Sequence, residues 1–339
     1  PATSSVLFNL ALVLQGLGKI GESKKTYLKL ISINPKDIKS YYGLFILDIK
    51  NIDHIFYKKL EILVNESSIS LFEKSLINFM FSKLEKKKSN FKDEINYLML
   101  SHQQCYKSNT EYNNQSNFYY KNIIFHYFNK IKFQGNFKKI NLNKAKAIFI
   151  VGLPRSGSTV VEAILSSGKK KISNLGETNL INWSVITTPN KTMSLLNAKL
   201  ICNKLEMTLD NLGVSNLKDN IFIEKSLENF FYIELILKIF PKAKFINTYR
   251  NVSDNVFAIF QQFLSKISWS HSLEDILEYT NNYLTVINFF KKKYPNKILS
   301  VKLEDLTSNR EELAKNIYKF CELEWDKKAL DFYKRKDLF

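Results

Sequence analysis

The sequence has 339 residues, a formal net charge of +18 and 45% hydrophobic residues. This apolar content excludes a disordered chain, and the length fits two packed domains better than one. No apolar run approaches the roughly 20 residues that a membrane span requires. The opening stretch Val6–Leu14 is interrupted by polar residues and lacks the pattern of a signal peptide.

The positive charge comes from lysines spread along the chain, because only four of the 50 basic residues are arginine. The runs Lys86–Lys88, Lys169–Lys171 and Lys291–Lys293 are therefore interpreted as solvated surfaces rather than as a nucleic-acid interface. Three scattered cysteines and four dispersed histidines lack metal-ligand spacing, so we expect no metal site. The odd cysteine count favours a reducing, cytoplasmic compartment without structural disulfides.

Residues 1–100 are predicted to form helical hairpins that resemble tetratricopeptide repeats. In the first hairpin Gly18 breaks the chain and Asn34–Pro35 ends the second helix. Weaker units follow at Ile38–Val64 and from Leu71 onward. These helices either dock a protein or the acceptor of a reaction, or they only support the next domain, and the sequence leaves both interpretations open.

A predicted helical connector, residues 101–146, precedes a change of pattern. Ala147–Val151 is a short apolar run that ends at Gly152, as a buried parallel strand does. Further strands are predicted at Phe222–Ile223, Lys244–Thr248 and Ile298–Val301, with helices near 229–239, 253–265, 273–293 and 310–321. This alternation predicts an α/β domain over residues 147–339, with a P-loop-type parallel sheet covered by helices on both faces.

The segment from Gly152 to Thr159 has the spacing of a phosphate-binding loop between the first strand and its helix. Its glycines allow a tight backbone path, and successive N–H groups can form a nest for an anion. Ser158 replaces the lysine that nucleoside triphosphatases aim at the phosphates, and the cation lies inside the loop as Arg155. The loop therefore suits a nucleotide with a 5′ phosphate–sulfate and no metal. The alternative is an ordinary metal-dependent P-loop kinase or triphosphatase.

Three segments resemble sulfotransferases that carry N-terminal tetratricopeptide repeats, and they are similar in pattern to protein-tyrosine sulfotransferases. They are Phe149–Ser167, Phe240–Phe260 and Leu303–Asp326. The resemblance implies the sulfotransferase fold, 3′-phosphoadenosine-5′-phosphosulfate (PAPS) as the donor, and an acceptor that presents a hydroxyl group. Peptide tyrosine, a glycan and a small alcohol or phenol all remain open as acceptors.

The same resemblance implies roles for the loop and for the strand near residue 250. It assigns the 5′-phosphosulfate to the loop residues Arg155, Ser156, Gly157, Ser158 and Thr159, and the 3′-phosphate to Arg250. The serine that the family often has eight residues after this arginine is Ala258 here, so Ser253 or a backbone amide would have to replace its hydrogen bond.

Two further residues are candidates for the chemistry itself. Glu177 follows Gly176 where the family has its general base, and Lys225 stands where the family has a lysine beside the departing nucleotide. With Arg155 they form the predicted catalytic set. Glu162, one turn into the loop helix, either orients Arg155 or lies exposed on the helix surface.

Two more expectations concern the whole chain. The sequence begins without methionine and ends at Phe339, soon after Trp325–Asp326, so we expect truncation at both ends relative to the family. A non-catalytic repeat scaffold is the remaining alternative to an enzyme.

Overall fold

The computed structural model describes residues 3–137, 146–168, 172–189, 192, 194–214 and 221–334, so the lysine run Lys169–Lys171 lies outside the described residues. The described residues pack as two compact units, the first formed by residues 3–116 with 260–275 and the second by residues 117–259 with 276–334. The boundaries 1–100, 101–146 and 147–339 stay a prediction.

The N-terminal region consists of helices joined by short turns, which confirms the predicted helical region. Its helices are α1 Ser4–Gly16, α2 Ile20–Ile33, α3 Ile38–Asp48, α4 His54–Val64, α5 Leu71–Lys87, α6 Phe91–Ser108 and α7 Thr110–Phe118. Gly18 adopts φ +71° in the turn between α1 and α2, a conformation that glycine tolerates best. Apolar residues of these two helices, including Ala11 and Tyr27, form a buried cluster.

The second unit is built on a parallel sheet, as the sequence predicted. Its strands are β1 Lys132–Gln134, β2 Lys146–Gly152, β3 Ser173–Asn174, β4 Leu195–Asn197, β5 Ile221–Glu224, β6 Lys244–Tyr249 and β7 Ile298–Lys302. In the described part of the chain, five strands form one sheet in the order β3-β5-β2-β6-β7, and every pairing in it is parallel. The small pair of β1 with β4 was not expected in a helical connector.

Helices flank the sheet, so the central strand β2 is buried along its length after Lys146. The helices that follow α7 are α8 Phe125–Tyr127, α9 Ser158–Ser166, α10 Leu180–Ile186, α11 Ala198–Asn211, α12 Ile233–Ile239, α13 Val252–Phe260, α14 Leu273–Lys293, α15 Leu303–Ser308 and α16 Arg310–Phe320. A π-helix spans Tyr119–Ile124, and 3₁₀ helices include Ile49–Asn51, Leu227–Tyr232, Ser268–His271 and Lys327–Lys334. Of the described helices, none is both long and apolar enough to cross a bilayer.

Helix α13 ends at Phe260 rather than near residue 265, and two side chains bond the carbonyls at this end. His102 Nε2 donates to the Phe260 carbonyl at 2.8 Å, and Lys83 Nζ donates to the Gln261 carbonyl at 2.6 Å. These bonds satisfy carbonyls that a longer helix would have used. His102 also lies 3.1 Å from His271, ring nitrogen to ring nitrogen, although the sequence placed the histidines apart.

Candidate functional site

The sheet brings the predicted motifs to one edge. In the register of β2 with β6, Gly152 pairs with Thr248, and on the other side of β2 Phe149 pairs with Glu224. Because these strands are parallel, the segments that follow them leave the sheet at the same edge, where ligands of open α/β sheets collect. The anion loop, Lys225 and Arg250 therefore share one edge of the sheet.

The loop between β2 and α9 is shaped by close backbone packing. A side chain at Gly152 would lie 2.4 Å from the Thr248 carbonyl oxygen, so only glycine fits without displacing β6. The Ser156 hydroxyl is buried, donates to the Leu153 carbonyl at 2.6 Å and lies 2.7 Å from the Thr248 hydroxyl. Ser156 therefore braces the loop through its side chain and has only its backbone N–H left for an anion.

The loop also presents unpaired donors. Among the described residues, no acceptor bonds the backbone N–H groups of Ser156, Gly157 and Ser158, just before and at the start of α9. Arg155 is exposed, has φ +66°, and its guanidinium has no bonded partner in the described part of the chain. A left-handed conformation costs a non-glycine residue roughly 1–2 kcal/mol. Unpaired amides of this kind can hold an anion, and Arg155 belongs to the same loop.

Lys225 lies at the centre of a charged cluster beside this loop. Its Nζ is 2.9 Å from Glu177 Oε1, 3.0 Å from Glu162 Oε2 and 3.4 Å from the hydroxyl of Thr159. Side-chain exposure is 9% for Lys225 and 7% for Glu162 but 66% for Glu177, so one carboxylate of the cluster is open to a substrate. Burial lowers the Lys225 pKa, but the bonds to both carboxylates outweigh it and raise the pKa overall. Glu162 is thus buried against Lys225 rather than exposed on the helix surface.

A buried carboxyl group holds the Glu177 loop against β5. Glu224 accepts hydrogen bonds from the Thr178 hydroxyl at 3.1 Å, from the Ser226 backbone at 3.1 Å, and from the side chains of Ser226 and Asn229. The Lys225 backbone N–H donates to the Gly176 carbonyl at 2.8 Å. Burial raises the pKa of Glu224 despite these donors. This role of Glu224 was not predicted, although a polar run at the end of a buried strand is a usable signal.

The second predicted anion site follows β6. Arg250 Nη2 lies 3.8 Å from Asp254, while its Nε is buried and bonds no described residue. Ser253 is exposed in the first turn of α13, where a ligand could reach its hydroxyl. Asn255, which was not predicted as a site residue, donates to the Pro154 carbonyl at 2.8 Å and so connects α13 to the loop of Arg155.

The residues at this edge fit an anion with two separate negative ends. One end of such an anion would meet the unpaired amides and Arg155, and the other would meet the unpartnered Nε–H of Arg250. In the described residues, no group of three or more histidine, cysteine or acidic side chains is placed to hold a metal ion.

Residues of the second unit match a known protein family. A model described as the sulfotransferase family matches residues 147–327. A curated relative, an uncharacterised protein of Aquifex aeolicus (strain VF5), is 24% identical over 367 residues, covering 99% of this chain and 46% of the relative. The chain therefore spans about half the length of the curated relative that it matches.

Solved structures with similarity to the chain include two sulfotransferases. Sulfotransferase STF1 of Mycobacterium tuberculosis H37Rv has a TM-score of 0.41 at 12% identity, covering 85% of this chain and 93% of that one. The sulfotransferase domain of the Synechococcus PCC 7002 olefin synthase has a TM-score of 0.44 at 17% identity, covering 60% and 83%.

Proposed function

We propose that this chain, which belongs to the sulfotransferase family, transfers a sulfuryl group from PAPS to an acceptor hydroxyl. The observation that carries the proposal is the position of Lys225, which contacts Glu177 and Glu162 within 3.0 Å and lies beside Thr159 of the anion loop. A base, a cation and an anion nest in contact are the groups that transfer of an anionic group requires.

The donor is proposed to bind across the two anion sites. The amides of the loop and Arg155 would hold the 5′-phosphosulfate, and Arg250 with Ser253 would hold the 3′-phosphate. Support comes from the unpaired N–H groups of the loop and from the buried, unpartnered Nε of Arg250. Arginine suits both places because its planar fork matches sulfonate and phosphate oxygens.

In the proposed reaction the acceptor oxygen forms a bond to sulfur while the bond from sulfur to the bridging oxygen breaks. Glu177 takes the acceptor proton, and the departing group leaves as adenosine 3′,5′-bisphosphate. Lys225 stabilises the negative charge that develops on the bridging oxygen, and Arg155 neutralises the sulfonate as it moves. Glu162 acts as a positioning residue because it holds the ammonium group of Lys225 from the buried side.

The N-terminal helices are proposed to dock the acceptor or a protein that carries it. This docking role is supported by the packing of α1 against α2 and of α5 against α6, which is the arrangement expected of tetratricopeptide-like units. The acceptor remains a hydroxyl-bearing molecule, whether peptide tyrosine, glycan, alcohol or phenol.

The test is calorimetric titration with adenosine 3′,5′-bisphosphate, with and without Mg²⁺, followed by turnover of PAPS with a panel of hydroxyl acceptors. We expect one metal-independent site and acceptor-dependent release of the bisphosphate. Mg²⁺-dependent binding of a nucleoside triphosphate would instead favour a P-loop kinase, and salt-sensitive binding of oligonucleotides alone would favour a non-catalytic scaffold.

A further inference from the structure

A half-buried carboxyl group close to the site lacks a basic partner. Glu228 lies in the 3₁₀ helix Leu227–Tyr232, which starts two residues after Lys225. Its Oε2 accepts a hydrogen bond from the Tyr120 hydroxyl at 2.8 Å, and none of the described lysine, arginine or histidine side chains forms an ion pair with it. This is unusual in a chain with a net charge of +18, where Glu278 of α14 pairs with Lys121 at 2.7 Å.

Tyrosines surround this carboxyl group. The ring of Tyr120 lies 5.2 Å from that of Tyr119 and 5.7 Å from that of Tyr279, at interplanar angles of 79° and 81°. The Tyr119 hydroxyl is 2.9 Å from the Tyr232 hydroxyl. Tyr119 and Tyr120 belong to the π-helix Tyr119–Ile124, a distortion that is frequent at functional sites.

The cluster is connected to the loop of the proposed base. The Tyr232 hydroxyl donates to Asn182 Oδ1 at 2.7 Å, and Asn182 lies on α10, the helix that begins shortly after Glu177. Trp183, the next residue of α10, is 59% exposed. Tyr232 and Tyr279 are buried, whereas Glu228 and Tyr120 are half-buried. An acceptor that reaches the loop of Glu177 can therefore contact Glu228 and Tyr120 within the same unit.

In its ionised form the carboxylate of Glu228 favours a cation. A carboxylate taken partly out of water is unfavourable without a positive partner, and burial accordingly raises the Glu228 pKa to about 7. Aromatic faces also attract organic cations. A divalent metal would need several more oxygen ligands than one carboxylate supplies, and no described cluster provides them.

We propose that Glu228, with the ring of Tyr120, binds a cationic nitrogen of the acceptor, so that the substrate class is an alcohol that carries an ammonium group. This assignment rests on the proposed sulfotransferase function, because that function makes the cation part of the acceptor. Binding of the cation can nevertheless be measured without turnover.

The test compares two probes of nearly the same shape, choline and its uncharged carbon analogue 3,3-dimethylbutan-1-ol. Both are titrated at about pH 8, where Glu228 is ionised, against the full chain in the absence of donor. We expect choline to bind about tenfold more tightly or better, the difference that a desolvated cation–aromatic and carboxylate contact supports. Equal affinities, or no binding of choline, would overturn the proposal, and this comparison requires no variant.

Variants then locate the site. Glu228→Gln should remove the preference for choline and leave binding of the uncharged alcohol unchanged. Glu278→Gln is the matched control, because it removes a neighbouring carboxylate that Lys121 already neutralises, and it should keep the preference. Tyr120→Phe keeps the ring and should also keep the preference for choline, whereas Tyr120→Leu should weaken the binding of choline. A preference that survives in Glu228→Gln would contradict the assignment.

The two proposals fail in different ways. Selective binding of choline without any PAPS-dependent turnover would leave the cation subsite in place and remove the proposed function. Turnover with PAPS by a protein that does not distinguish choline from its analogue would keep the function and remove the subsite.

Discussion

Lys225 Nζ lies 2.9 Å from Glu177 Oε1, and this contact joins a buried cation to an exposed carboxylate. On its inner side the same ammonium group meets Glu162 at 3.0 Å. Because Glu162 already neutralises Lys225 from the protein side, Glu177 can turn toward a substrate without leaving an uncompensated buried charge. The cluster thus combines a buried ion pair with one exposed carboxylate.

Replacement of Glu177 by glutamine should separate chemistry from binding. The amide keeps the size of the side chain but takes no proton, so turnover should fall by roughly 10²–10⁴ while donor affinity stays within about threefold. A nitrophenol acceptor, which loses its proton easily, should show a smaller deficit than an aliphatic alcohol. Glu311→Gln is the control, since it also removes an exposed carboxylate from a lysine, at 2.8 Å. Full activity of Glu177→Gln would remove this residue from the mechanism.

Removal of the Arg155 side chain should act on the sulfonate end of the donor. Arg155→Ala keeps the loop amides but lacks the fork, so binding of PAPS should be nearly lost. Adenosine 3′,5′-bisphosphate lacks the sulfonate and should retain most of its affinity. Calorimetric titration of both ligands checks this, and unchanged affinity for PAPS would contradict the assigned role.

Arg250→Ala should weaken the binding of the 3′-phosphate end of the donor. We expect PAPS and adenosine 3′,5′-bisphosphate to lose similar affinity, whereas adenosine 5′-phosphosulfate, which has no 3′-phosphate, should be spared. Arg310→Ala is a suitable control because that arginine packs over the Phe332 ring, 5.5 Å from its centre. Equal losses for all three ligands would show that Arg250 supports the fold of the site rather than the 3′-phosphate.

Two serine substitutions should affect different properties, Ser156→Ala the stability of the fold and Ser253→Ala the affinity for the donor. Ser156→Ala removes a buried hydroxyl that bonds the Leu153 carbonyl and lies against Thr248, so the free energy of unfolding should fall by about 1–3 kcal/mol. Ser253→Ala removes an exposed hydroxyl and should change that free energy by less than about 0.5 kcal/mol, but it should weaken the donor. Urea unfolding and donor titration of both variants test the distinction, and a reversed pattern would exchange the two roles.

The pKa of Glu228 predicts a pH dependence of stability. Burial raises it to about 7 from the ordinary 4.5, so between these pH values the native state holds a proton that the unfolded chain has lost. The free energy of unfolding should therefore fall as pH rises through this window. The facing hydroxyls of Tyr119, Tyr120, Tyr232 and Tyr279 have pKa values raised above 10 and stay neutral there.

Glu228→Gln removes this titration, so the variant should gain stability relative to the wild type as pH rises from 5 to 8. Urea unfolding at both pH values provides the measurement. An unfolding free-energy difference that is the same at both pH values would assign the pH dependence to other groups.

Local sequence pattern was sufficient for much of the sheet. The apolar run before Gly152 predicted β2, and helix α14 spans Leu273–Lys293, the range expected from its periodicity. Helix α13 was predicted too long because its apolar pattern continues past Phe260, whereas its end depends on His102, a residue far away in the chain. Contacts of that kind leave no local signal.

The candidate site likewise contains residues that local sequence identifies and residues that only tertiary packing brings together. The anion loop could be recognised because its glycines, Arg155 and Ser158 are adjacent in sequence. The contact of Lys225 with Glu162 depends on the parallel pairing of β2 with β5, and it could not be read from either segment alone. The cluster of Glu228 with Tyr120 and Tyr279 draws on three distant segments and depends entirely on tertiary packing.

The pairing of Gly152 with Thr248 limits how this protein can change in length. Each residue inserted into or deleted from β2 or β6 would shift one anion motif against the other by roughly 3.3 Å and reverse the side-chain alternation of that strand. The proposed donor, a molecule of constant size, could then no longer reach both Arg155 and Arg250. Apart from Gly152, we therefore expect these strands to tolerate single substitutions better than length changes, and homologues should vary in length in the connections instead.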